Sequence, residues 1–90
     1  KDYILDKNQK TLKKNNIYLK ITEKEINFIE NLHASLKQLS KEFILKNIWN
    51  YSVSTDTHTV ETHIYRLRQK IKNQFNDSNF IKNSKKGYSL

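Results

Sequence analysis

The 90-residue chain contains no cysteine, no proline, no methionine and a single glycine, Gly87. Without cysteine, neither disulfides nor thiolate metal sites can hold the fold, and nothing points to an oxidising compartment. One glycine is too few for a glycine-rich loop that cradles nucleotide phosphates. No apolar run approaches the roughly 20 residues of a membrane-spanning helix. No secretory pattern opens the chain either, so contact with a membrane is not expected and a cytoplasmic location is. A chain that starts at Lys1 and lacks methionine throughout is read as a piece of a longer protein or a processed product.

Acidic residues are also scarce: 9 Asp and Glu stand against 17 Lys and Arg, for a net charge of +8. They are scattered, so no paired-carboxylate site is supported, and no Ser/His/acid set sits in a recognisable nucleophile turn. His58 and His63 would lie about 140° apart on a helix, a poor arrangement for sharing a metal ion. The expectation is therefore no enzyme activity, no metal and no cofactor.

What the chain has instead is cationic charge, which attracts polyanions at long range and makes phosphate contacts easy to form. At 36% hydrophobic, residues 1–90 are read as one domain with one modest core. Tyr3-Ile4-Leu5, Thr11-Leu12 and Ile17 to Ile21 read as short strands of an antiparallel sheet. Asp6-Lys7-Asn8 and Lys14-Asn15-Asn16 separate them as turns, where Asn tolerates positive φ. Thr22-x-x-Glu25 is a capping box that opens a helix, and Ile26, Ile29, Leu32 and Leu36 follow as its buried stripe. Ser40 opens a short helix over 41–49, with Phe43, Ile44, Ile48 and Trp49 behind it. A longer helix runs from 57 or 58 to about 75, and Phe80-Ile81 through Leu90 reads as two strands joined by a basic turn. Strands, three helices and a terminal hairpin make an α+β winged helix-turn-helix.

On a helical wheel of the third helix, Val60, Ile64, Leu67 and Ile71 share one narrow sector that must face the core. Thr62, Arg66, Gln69 and Asn73 fall opposite, with His58 and Thr59 beside them. His63 and Lys70 line one flank; Glu61, Tyr65, Arg68 and Lys72 line the other. Arg can bond guanine O6 and N7 in a fork, Gln can do the same for adenine, and a Thr methyl packs on the methyl of thymine. Cationic flanks suit a helix lying between two phosphate walls. Any amphipathic helix has a polar outer face, but a merely solvated one carries Glu/Lys pairs. Here Glu61 is the sole acid between His58 and Gln74.

These residues resemble the OmpR/PhoB family of response-regulator output domains. Thr59 to Ile71 is similar to the family's T-V-D/E-x-H-I-x-x-L-R-x-K-L recognition helix. Ile21-Thr22-x-x-Glu25 resembles the start of its first helix, Ser40-Lys41-Glu42 to Trp49 its second, and Gly87-Tyr88-x-Leu90 the close of its wing. Leu5-Asp6 has a counterpart in its N-terminal sheet. The resemblance implies a four-stranded N-terminal sheet, three helices and a wing over 82–88. It implies double-stranded DNA as partner, with two copies head to tail on direct repeats, and the 50–57 loop as a contact for RNA polymerase. It implies that Thr62 and Arg66 face bases while His63 and Arg68 sit near phosphates, and that a phosphorylated receiver domain lies outside this chain. Arg68 pairing with Glu61 is an alternative role. The chain departs from the family where His58 and Tyr65 replace common arginines. It departs again in the wing, where Asn83 to Gly87 is one residue shorter than usual and Lys85, with Lys86 beside it, stands in for an arginine that enters the minor groove. The DNA-facing set is thus His58, Thr59, Thr62, His63, Tyr65, Arg66, Arg68, Gln69, Lys70, Asn73, Lys85 and Lys86. Two other functions fit the same composition: a charge-driven nucleic-acid binder without sequence preference, and a winged-helix module that docks an acidic protein.

Overall fold

The structure, a computed structural model, describes residues 3–52 and 55–90. Strands β1 (Tyr3–Asp6), β2 (Thr11–Lys14) and β3 (Ile17–Lys20) pair antiparallel in that order. Their register sets Leu5 opposite Leu12 and Leu12 opposite Leu19, so one leucine from each strand lines the core face. The neighbouring row, Ile4, Lys13 and Tyr18, falls on the other face because side chains alternate along a strand, and Ile4 and Tyr18 are exposed. Asn15 in the β2–β3 turn takes φ 57°, the left-handed conformation Asn adopts most cheaply after glycine. The three strands read from the residues are all present; a fourth, implied by resemblance, is not among the described residues.

Helix α1 (Glu23–Ala34) begins at the expected capping box. The Thr22 hydroxyl accepts from the Glu25 amide at 3.2 Å, and the Glu25 carboxylate accepts from the Thr22 amide at 2.8 Å. Its buried residues are Ile26, Phe28, Ile29 and Leu32. Leu36, expected in this stripe, is instead 103% exposed. The helix stops at Ala34 because Ser35 turns extended, and its hydroxyl bonds the backbone of Lys37 in place of another helical turn. Phe28 fills the core position that the spacing assigned elsewhere.

Helix α2 (Lys41–Phe43) is capped by Ser40, whose hydroxyl accepts from the Phe43 amide. It continues through Ile44–Ile48 as a wider turn, in which the Trp49 amide bonds the Ile44 carbonyl five residues back. That extra width rotates the apolar face: Ile44, Leu45 and Ile48 are buried, whereas Phe43, expected inside, is exposed. Helix α3 (His58–Phe75) buries Val60, Ile64, Leu67 and Ile71, each at 1% exposure or less. Asp56 caps its start by accepting from the His58 amide at 3.0 Å, and Asn76, left-handed at φ 56°, ends it. Tyr3 ties β1 to this end, stacking edge-on to Phe75 and donating to Asp77 at 2.7 Å.

The wing is the hairpin β4 (Lys82–Ser84) and β5 (Gly87–Ser89). Phe80 and Ile81, expected within its first strand, precede it as core residues. Tyr88 exchanges two 2.9 Å backbone hydrogen bonds with Leu39, which docks the wing on the α1–α2 connection. Gly87 makes this possible. It sits at φ 139°, and a Cβ there would stand 2.1 Å from the Leu39 carbonyl oxygen. The result is a winged helix with one apolar core shared by sheet, helices and wing. Among the described residues no helix is long and apolar enough to cross a membrane.

Candidate nucleic-acid interface

With its apolar stripe fully consumed by the core, α3 has its opposite face free. Tyr65, Arg66, Gln69 and Asn73 are exposed there, and Thr62 is half-buried with its hydroxyl donating to the His58 carbonyl at 3.1 Å. Thr59, one turn earlier, is half-buried. Among the described residues Arg66 forms no ion pair. A guanidinium without an internal partner keeps its five donors available to an external one.

At the N-terminal end of α3, Glu61 gathers two partners: the Lys41 ammonium from α2 and the His58 imidazole, whose Nδ1 lies 3.2 Å from Glu61 Oε1. The Lys41 hydrogen bond, then that of His58, holds the Glu61 carboxyl below the usual carboxylate range, and the same bond raises Lys41. The alternative pairing of Glu61 with Arg68 is therefore not the one formed. Arg68 lies half-buried along the groove between α3 and the wing, with Tyr65, Asn83 and Tyr88.

The other flank is more committed than the wheel implies. His63 packs edge-on against Trp49 at 5.4 Å and lies parallel to Tyr51, whose hydroxyl is 3.5 Å from its Nε2. The Lys24 ammonium sits over the Tyr51 ring and bonds its hydroxyl, and the Trp49 indole donates to the Lys24 carbonyl at 3.0 Å. Burial, followed by the charges of Lys24 and Arg66, lowers the His63 pKa, against a smaller opposing pull from Glu25. Lys70 is turned to α1, 2.9 Å from Glu25 Oε1. Lys24, Trp49 and Tyr51 are thus neighbours of the α3 face that the sequence did not single out. They reach it only through packing of α1 and the α2–α3 loop on α3, which no local spacing records.

In the wing, Asn83, Ser84, Lys85 and Lys86 are exposed. The Ser84 hydroxyl donates to Gln38 at 2.8 Å and accepts from the Lys86 amide, bracing the turn that projects the two lysines. The 50–57 segment is described only in part, since Val53 and Ser54 lie outside the described residues.

Residues 13–90 match the family described as transcriptional regulatory protein, C terminal. A probable transcriptional regulator, ycf27, of Cyanidium caldarium is 38% identical over 73 residues, covering 74% of this chain and 29% of that protein. The chain thus spans under a third of that relative's length. Among solved structures, one described as belonging to redox sensors in the streptococci that evolved from two-component response regulators superposes with TM-score 0.83 at 26% identity, over 100% of this chain and 39% of that one. The DNA-binding domain of the response regulator AdeR, solved in complex with an intercistronic region, shares the fold at TM-score 0.81 and 21% identity, over 100% of this chain and 94% of that one.

Proposed function

The chain belongs to the family of transcriptional regulatory protein C-terminal domains and is a DNA-binding output domain; on that premise we propose that it reads duplex DNA in a sequence-specific way as the effector of a two-component response regulator. Helix α3 enters the major groove with Thr62 and Arg66 at base edges, Gln69 and Asn73 further along the same face, and Thr59 and Tyr65 beside them. His63 and Arg68 approach the phosphate walls, as does Lys70 if it leaves Glu25. Lys85 and Lys86 carry the wing to a neighbouring minor groove, where Lys is a weaker fit than Arg.

One observation carries this reading. A helix whose Val60, Ile64, Leu67 and Ile71 are each at 1% exposure or less offers, on its free side, Arg and amide side chains with no carboxylate among them. A rigid helix bearing forked donors is what base-edge recognition needs. Residues 1–90 act as the effector unit, with a receiver domain elsewhere in the full-length protein and no enzymatic step in this domain. Two copies bind head to tail on direct repeats, and the 50–57 loop meets RNA polymerase.

The test is selection from a random duplex library at near-physiological salt, with sequencing of the bound pool. The expected result is a short motif repeated about one helical turn apart. Retention without enrichment identifies a charge-driven binder, and no retention points to a protein partner.

A further inference from the structure

His58 is the first residue of α3, and its ring is held by a contact that determines its chemistry. A carboxylate only accepts hydrogen bonds, so the Nδ1 that lies 3.2 Å from Glu61 Oε1 must carry the hydrogen. In the neutral ring this leaves Nε2 as a bare acceptor. The side chain is 75% exposed, so Nε2 is free to meet a partner outside the protein. Its backbone is fixed as well, since the His58 amide is bonded to Asp56 and its carbonyl accepts from Thr62. Glu61 is itself steadied by Lys41 from α2. Recognition helices contact base edges with their N-terminal residues, and His58 lies on the outward side of the first turn, one turn before Thr62.

We propose that His58 is a specificity-determining residue, with Glu61 as its positioning residue: the Glu61 carboxylate locks the tautomer whose Nε2 accepts from the amino group of an adenine or a cytosine in the major groove. This rests on the reading of α3 as the groove-entering helix. The two bases share the relevant chemistry, N6 of adenine and N4 of cytosine being the amino donors on the major-groove edge. The charged groups around the ring are Glu61 on its own helix, Asp56 in the preceding loop and Lys41 from α2, while Arg68 and Tyr88 border the same groove from α3 and the wing.

The experiment repeats the library selection in mildly alkaline buffer with the wild-type domain, His58→Ala and Glu61→Gln. In alkaline buffer the wild type should enrich an amino-bearing base at one position of the motif. His58→Ala should flatten that position alone and lower affinity for the selected site roughly two- to tenfold, the worth of one hydrogen bond. Glu61→Gln can offer Nδ1 either an acceptor or a donor, so both tautomers return and the same position should accept amino and carbonyl bases. If the wild type enriches no motif, the reading of α3 falls and this proposal with it. A wild-type motif that His58→Ala leaves intact at every position overturns the role of His58 alone. So does a loss of affinity by His58→Ala that is equal on selected and random duplexes, which would place the ring at a phosphate.

Discussion

Helices α1 and α3 do the same work inside the protein and opposite work outside it. Each buries four apolar residues, Ile26, Phe28, Ile29 and Leu32 on one and Val60, Ile64, Leu67 and Ile71 on the other. On the solvent side of α1 the carboxylates are answered within the molecule: Glu23 by Lys10, Glu25 by Lys70 and Glu30 by Lys7. Beyond Glu61, α3 has no carboxylate, and among the described residues Lys70 is the one cation on that stretch with an ion-pair partner. Exposed pairs contribute little to stability, so the contrast bears on the potential each face projects. A surface that neutralises itself projects little, whereas unopposed cations between amides attract a polyanion and can then be specific about it.

If the two helices are equivalent as core elements, truncating either must cost the fold alike. Phe28→Ala should remove about 3–5 kcal/mol and Ile64→Ala about 2–5 kcal/mol of stability, read by urea unfolding. An Ile64→Ala domain as stable as wild type would break the equivalence. Gly87→Ala tests the wing separately. The positive φ costs on the order of 1–3 kcal/mol for a non-glycine residue, and the collision with the Leu39 carbonyl adds to it. The expected result is a domain that melts earlier and has lost wing-dependent affinity on cognate and random DNA equally.

The outer faces should then separate the helices. Arg66→Ala should weaken cognate binding by about 1–3 kcal/mol and flatten preference at one base pair, with stability within roughly 0.5 kcal/mol of wild type. Glu30→Ala on α1 should leave binding unchanged. Equal loss of affinity from both variants, measured by anisotropy titration on cognate and scrambled duplexes, would remove the distinction.

This division was largely readable before any coordinates, because it depends on local period. The α3 stripe, the α1 capping box and the three short strands with their polar turns each rest on signals within a few residues of chain. What escaped reading depends on where local hydrogen bonds end or widen a helix and on packing between distant elements. Leu36 continues the α1 spacing, but Ser35 ends the helix first. Phe43 turns outward and Leu45, which the spacing did not mark, is buried because the turn after α2 widens. Glu61 chose Lys41 over Arg68, and Lys70 chose Glu25, across contacts between different helices. Likewise His63 was placed on a flank by the wheel, but its Trp49 and Tyr51 neighbours come from a loop whose path the sequence leaves open.

A smaller effect sharpens the same comparison at the α1 cap. Thr22→Ala removes the hydroxyl that accepts from the Glu25 amide and should cost about 1 kcal/mol. It should also loosen Glu25, the partner of Lys70, and so leave that lysine freer for phosphate. The expected signature is a lower Tm together with unchanged or slightly tighter binding to random duplex. Weaker binding there would mean that Glu25 positions Lys70 for DNA instead of withholding it.

The smallest expected effect is a pH dependence carried by His63. Burial first, and then the charges of Lys24 and Arg66, lower its pKa in the folded domain. In the unfolded chain it titrates near the ordinary imidazole value, about 6.5. Above that value both states hold the neutral ring and His63 contributes no slope. As pH falls through it, the unfolded chain takes up a proton that the folded domain refuses, so stability declines until the folded value is passed. Thermal unfolding of wild type and His63→Gln across mildly acidic buffers isolates this difference, and parallel slopes would assign it to other groups. With DNA the direction should reverse, because a phosphate brought against the Trp49–Tyr51–His63 cluster favours the charged ring. Binding should then tighten on acidification as the free domain loosens, and His63→Gln should abolish both trends. If only the stability trend responds to the substitution, His63 belongs with the α1-like interior of the molecule and not with the face proposed to meet DNA.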